Sequence, residues 1–249
     1  MDSFRLKVAG LVVQVQPLYL STREYFRSYL TDQDPDLDFV VTEEALLFEQ
    51  KMLEQEAVEE GLKIRKFTNP FLERTAIQRS MAAELLNRRT ILLHGSTVAV
   101  DGYAYLFTAP CGTGKSTHTR LWREVFGERA VMVNDDKAFL EISDACVMAY
   151  GSPWSGKHGL DTNVCLPLKG ICFLQRGLSN EIVPGSPEKW MAELRHQCFV
   201  PENAAGVEMA YSLIQELASI IPLWELSCNK DPEAALVSYR AMSSDLHKE

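Results

Sequence analysis

The sequence has no CxxC pair, no long apolar run and no excess of positive charge, and each absence closes off a class of protein. Six cysteines (Cys111, Cys146, Cys165, Cys172, Cys198 and Cys228) are scattered singly, so neither a zinc site nor a disulfide framework is indicated. Several fall in strand-like runs, where a free cysteine behaves as a small buried hydrophobe, and a reducing cytoplasm is the expected compartment. No apolar stretch approaches the roughly 18 residues needed to span a bilayer. The opening Met1-Asp2-Ser3-Phe4-Arg5 lacks the basic-then-apolar layout of a signal peptide. With 25 Lys and Arg against 34 Asp and Glu, the net charge of −9 argues against binding along a nucleic-acid backbone. Neither nucleic acid nor membrane is therefore an expected partner. Repeats and low-complexity segments are absent as well.

What remains is an ordinary globular composition, 46% hydrophobic and 24% charged over 249 residues, enough for a large domain or a main domain with an appendage. Residues 1–88 read as a small α+β region. One or two alternating strands are expected over 5–20, a short helix over 25–30 and an Asp/Pro turn over 32–38. An acidic helix is expected over 43–60, closed by Gly61, and a second over 71–88 with Leu72, Ile77, Met81 and Leu85 on one face. The texture changes at Thr90. Strands are expected over 91–95, 97–100, 103–108, 130–133, 138–142, 145–150, 170–175 and 222–226, with a hairpin at Asp101-Gly102. Helices are expected over 115–125, 188–197, 202–220 and 232–242. The predicted fold is α/β, a mixed sheet in 89–249 ending in helices.

The informative motif is Ala109-Pro110-Cys111-Gly112-Thr113-Gly114-Lys115-Ser116-Thr117, directly after an apolar strand and directly before a helix. Such a loop turns successive backbone N–H groups onto phosphate oxygens, and the helix N-terminus adds partial positive charge. Lys115 would reach the β- and γ-phosphates and the Ser116 hydroxyl would sit on Mg²⁺. The usual leading glycine is Ala109 here. Residues 111–117 are the expected nucleotide contacts, and the expected cofactors are ATP or another nucleoside triphosphate with Mg²⁺. Cys111, near the helix N-terminus, reads as a filler residue of the loop.

About twenty residues on, Val131-Met132-Val133-Asn134-Asp135-Asp136-Lys137 is an apolar strand ending in two acids. One carboxylate there can organise Mg²⁺, and its neighbour can accept the proton of an attacking hydroxyl. His94 ends a strand-like run upstream. Downstream, Gly151-Ser152-Pro153-Trp154-Ser155-Gly156-Lys157-His158-Gly159 reads as a basic, glycine-rich loop. In it Trp154 is either a stacking platform or a core anchor, and Lys157 is a candidate phosphoryl contact.

The order of His94-Gly95, a hairpin, the phosphate loop and Asp135-Asp136 resembles the catalytic domain of bacterial HPr kinase/phosphorylase, over roughly residues 90–177. The wider group includes phosphoenolpyruvate carboxykinase. The resemblance implies a P-loop fold on a curved mixed sheet and a phosphoryl-transfer site made of His94, Lys115, Ser116, Asp135 and Asp136. Two positions depart from the family: Ala109-Pro110-Cys111 replaces its Gly-Asp start, and Thr117 stands where it has Glu. The sequence is more similar to divergent HPr-kinase-related kinases, a group that includes enzymes phosphorylating serine on peptides.

The expected activity is transfer of a γ-phosphoryl to a hydroxyl of a peptide, protein or small molecule. Ser116 and Asp135 are assigned to Mg²⁺, and Asp136, His94, Lys115 and Lys157 to the chemistry. The alternatives are a nucleotide-dependent switch, which needs no second base, and a carboxykinase-type lyase, disfavoured by chain length. The acceptor and the oligomeric state, a homo-oligomer included, stay open.

Overall fold

The computed structural model describes residues 3–59, 61 and 63–244, so residue 60 of the expected acidic helix lies outside the described residues. The chain divides into two compact units, Met1–Glu84 and Leu85–Glu249.

In the first unit, strands β1 (Phe4–Val8) and β2 (Leu11–Gln16) form an antiparallel hairpin, and β3 (Leu37–Val40) joins β2 in parallel. Helix α1 covers Leu20–Tyr25, earlier in the chain than the expected 25–30, where a 3₁₀ turn (Arg27–Tyr29) stands instead. The reason is tertiary: the buried carboxylate of Glu73 accepts from the Leu18 N–H and the Thr22 hydroxyl, which fixes the helix start. Helix α2 runs Glu43–Glu59 and α3 runs Asn69–Leu86. Arg79 grips the buried Glu49 at 2.6 and 3.1 Å, tying α3 to α2. Leu72, Ile77, Met81 and Leu85 are all buried.

The second unit is a mixed sheet with helices on it. Its strands are β4 (Thr90–His94), β5 (Ser96–Val100), β6 (Tyr103–Thr108), β7 (Ala130–Asn134), β8 (Lys137–Ile142), β9 (Val147–Tyr150), β10 (Cys165–Arg176), β11 (Glu181–Pro184) and β12 (Leu223–Cys228). They run in the order β4-β8-β9-β10-β6-β5-β7, with β12 beside β10 and β11 beside β12. Among the described residues of this unit, only the β10–β6 and β10–β12 pairings are parallel. Asp101 and Gly102 both take positive φ (54° and 83°), the two-residue turn that matches strand twist in the β5–β6 hairpin.

The middle stretches of the central strands, Ala104–Phe107 of β6 and Gly170–Leu174 of β10, are buried and largely apolar because both faces are covered. Ala104 and Leu106 of β6 enter a core with α5 (Pro187–Gln197) and α6 (Ala204–Ile220). Tyr105 and Phe107, on the other face, meet α4 (Lys115–Phe126) and α7 (Glu233–Met242). β6 thus delivers the chain to the glycine loop, and α4 leaves from it. Among the described residues no helix is long and apolar enough to cross a membrane.

Helix α4 is held down by Trp122, whose Nε1 donates to His118 Nε2 at 3.1 Å and to Ser238 Oγ on α7 at 3.0 Å. Burial pushes the His118 imidazole down to about 3. Above pH 6.5 His118 is neutral folded or unfolded. From 6.5 toward 3 only the unfolded chain takes up the proton, so stability falls by about 1.4 kcal/mol per pH unit through this group. His118→Gln is therefore expected to flatten the decline in stability between pH 7 and 5 measured by denaturant titration. An equal slope in parent and variant contradicts this.

Candidate active site

Beyond Thr108 the chain turns through Gly112 (φ +76°) and Gly114 (φ +131°), left-handed positions that an L side chain adopts at a cost. α4 begins at Lys115 with no side-chain cap, so its first N–H groups are offered to an anion. Lys115 is buried, and its Nζ donates to the Ala109 carbonyl at 2.7 Å. Burial holds the ammonium below its usual range. An anionic ligand would exchange that carbonyl for a stronger partner. Ser116 and Thr117 are half-buried in the first turn, and Cys111 is exposed on the loop.

Asp135 and Asp136 form the link between β7 and β8. The Asn134 side-chain oxygen accepts from the Asp136 N–H at 2.7 Å and from the Lys137 N–H, an Asx turn that fixes both acids. Asp135 is buried, and its Oδ1 accepts from Ser96 Oγ at 2.6 Å. Ser96 Oγ also meets Thr119 Oγ1 at 2.7 Å, and Thr119 Oγ1 lies 3.4 Å from the Ser116 carbonyl. This chain of contacts ties Asp135 to the first turns of α4.

Asp136 meets His94 Nε2 at 3.2 Å. The β4–β8 register places His94 opposite Lys137, so the two side chains stand on one face. Burial raises the Asp136 carboxyl, but the His94 hydrogen bond and the Lys137 and Lys115 charges outweigh it and hold the group below the carboxylate range. Burial, helped by Lys137 and Lys115, lowers His94 against the opposing pull of Asp136. Near neutrality the pair is thus a carboxylate accepting from a neutral imidazole.

The 151–159 loop lies against these acids. Asn134 Nδ2 donates to the Ser152 carbonyl at 2.8 Å and to Ser152 Oγ at 3.0 Å. A Cβ on Gly151 would lie 1.9 Å from the Thr162 carbonyl oxygen, so this glycine is there for close packing rather than as a hinge. Trp154 is buried edge-on to Phe139 at 6.3 Å; it anchors the loop and is not a free stacking platform. Lys157 and His158 are exposed on a single 3₁₀ turn, Gly156–His158.

Gly156 has φ +67°, and a Cβ there would sit 3.2 Å from Asp136 Cβ. Gly156→Ala is expected to cost about 1–2 kcal/mol for the left-handed backbone and to push Asp136 from His94. His94 would then titrate still lower in an imidazole NMR titration. An unchanged His94 titration contradicts the contact.

Spacing alone did not point to Ser96, Thr119, Asn134 or Lys137, although each adjoins a motif residue or lies one helical turn from one. Nor did it single out Arg176, at the end of β10, whose Nη2 donates to the Gly112 carbonyl at 2.5 Å and Nε to the Thr113 carbonyl at 3.3 Å.

No protein-family model matches the chain, and no curated protein matches it. Among solved structures, the HPr(Ser) kinase/phosphatase from Coxiella burnetii is similar, with a TM-score of 0.37 and 10% sequence identity, over 62% of this chain and 96% of that one. At that distance the functional reading rests on this chain's own residues.

Proposed function

We propose that residues 89–249 form a kinase domain, with 1–88 as an appended α+β region, and that it moves the γ-phosphoryl of a nucleoside triphosphate onto a hydroxyl. The observation that carries this reading is the chain of contacts from Asp135 through Ser96 and Thr119 to the first turn of α4, which brings the acid pair and the end of the glycine loop into one neighbourhood.

In this reading the loop amides of 111–117 and the α4 N-terminus receive the phosphates, and Lys115 neutralises the β- and γ-oxygens. Among the described residues no cluster of three or more His, Cys, Asp or Glu could cage a metal. Mg²⁺ at a nucleotide needs less, one or two protein oxygens beside phosphates and water. The Asp135 carboxylate, fixed by Ser96, and the Ser116 hydroxyl suit it as hard oxygen donors. They would hold the Mg²⁺ that accompanies the nucleotide, which would supply neutralisation of phosphate charge.

The acceptor oxygen attacks the γ-phosphorus as the bond to the β–γ bridging oxygen breaks, and the nucleoside diphosphate departs. Asp136, ionised and oriented by neutral His94, accepts the hydroxyl proton. Lys157, exposed beside Gly156, is assigned to the transferring phosphoryl or to an anionic part of the acceptor. Positioning and charge stabilisation supply most of the acceleration.

The test is incubation with γ-labelled ATP, Mg²⁺ and a fractionated extract. Label in a phosphomonoester on a peptide, protein or small hydroxyl compound is expected. Label found only in inorganic phosphate contradicts transfer and favours the nucleotide switch.

A further inference from the structure

We infer that Arg176 is a positioning residue for the phosphate loop, holding its backbone from behind in the turn that presents the Gly114 amide and the start of α4. This rests on the reading of that loop as a nucleotide site.

β10 runs parallel to β6, with Phe173 opposite Thr108, so Arg176 lies past the paired segment, level with the loop that follows β6. There its guanidinium donates to two consecutive loop carbonyls, Gly112 (2.5 Å) and Thr113 (3.3 Å). The planar fork of a guanidinium is best matched by a carboxylate or a phosphate. Among the described residues Arg176 has no carboxylate partner, and its contacts go to main-chain oxygens of this loop.

The consequence follows from peptide planarity. In a trans peptide the C=O and the next N–H point in opposite directions. Turning the Gly112 and Thr113 carbonyls to Arg176 therefore turns the Thr113 and Gly114 N–H groups away from it. The Thr113 N–H is taken up by the Pro110 carbonyl at 3.2 Å, which closes the turn of the loop, so the amide this arrangement leaves for a ligand is that of Gly114, at the uncapped start of α4. The same side chain adds a positive charge behind a loop whose ligand would be polyanionic, in a protein of net charge −9. Lysine can supply that charge but not the planar fork that spans two carbonyls.

The test uses the full chain and two probes, Mg-ATP and Mg-tripolyphosphate, titrated into the parent, Arg176→Met and Arg176→Lys. The Met variant is expected to bind both probes roughly tenfold more weakly, about the worth of one charge-assisted hydrogen bond. The Lys variant should recover part of that loss, and thermal midpoints should stay close to the parent's, since Arg176 is exposed. Weakening confined to ATP would place Arg176 on the nucleoside and overturn the inference, as would unchanged affinity for both probes. A parent that binds neither probe fails the nucleotide reading itself, and the inference with it.

Discussion

Lys115→Ala is expected to abolish productive Mg-ATP binding, so that phosphoryl transfer falls by at least the roughly 10²–10³-fold that removing one preorganised charge-stabilising donor costs. Lys115 is buried and partly desolvated, in a place where a charge interacts more strongly than in water. Its contact inside the protein is one hydrogen bond to the Ala109 carbonyl, so the fold should survive the change. Calorimetric titration with Mg-ATP, alongside a melting curve, reads both halves. Parent-like affinity and turnover in the variant would remove the glycine loop from the mechanism.

Asp136→Asn should lower transfer by about 10²–10⁴-fold, the range for a positioned general base, while the nucleotide still binds. Asn keeps the size and an acceptor oxygen but cannot take the proton. The pH profile sharpens this. Both Asp136 and His94 lie below their ordinary values, so the working state, a carboxylate beside a neutral imidazole, persists as pH falls below 6.5. The acidic limb of the rate profile should therefore lie below the ordinary histidine value. Asp135→Asn should behave differently, raising the Mg²⁺ concentration needed with less effect at saturation. Full transfer activity in Asp136→Asn would move the base elsewhere, with His94 next in line.

Features set by short-range chemistry were readable in the chain. The Asp101-Gly102 turn, the strand through 103–108 and the helix leaving Lys115 follow from local conformational preference and apolar runs. β3 and β11 were not readable, because both are short: β3 falls partly in an Asp/Pro stretch, and β11 ends in Pro184. β10 starts at Cys165, five residues before the apolar run, because pairing with β9 rather than composition makes 165–167 a strand.

The site divides in the same way. Spacing sets the order of His94, the loop and the acids, but the 3.2 Å between His94 and Asp136 comes from the β4–β8 register. The place of Gly156 over Asp136 comes from Asn134 gripping Ser152, a contact across eighteen residues. Trp154 shows the limit of residue type: a tryptophan in a glycine-rich loop suits a ligand as well as a core, and only packing on Phe139 decides. The acceptor leaves no comparable pattern, since many side chains can bind one hydroxyl compound.

The most direct measurement is a crystal structure of the chain with Mg²⁺ and a non-hydrolysable ATP analogue. The account predicts the triphosphate wrapped by residues 111–117, with Lys115 Nζ moved from the Ala109 carbonyl onto the phosphates. It predicts the metal on Ser116 and Asp135, and Asp136 beside the γ-phosphoryl, within hydrogen-bond reach (about 2.6–3.2 Å) of an acceptor oxygen in line with it. A triphosphate bound elsewhere, or one in the loop with Asp136 facing away from its terminal phosphoryl, would contradict the account.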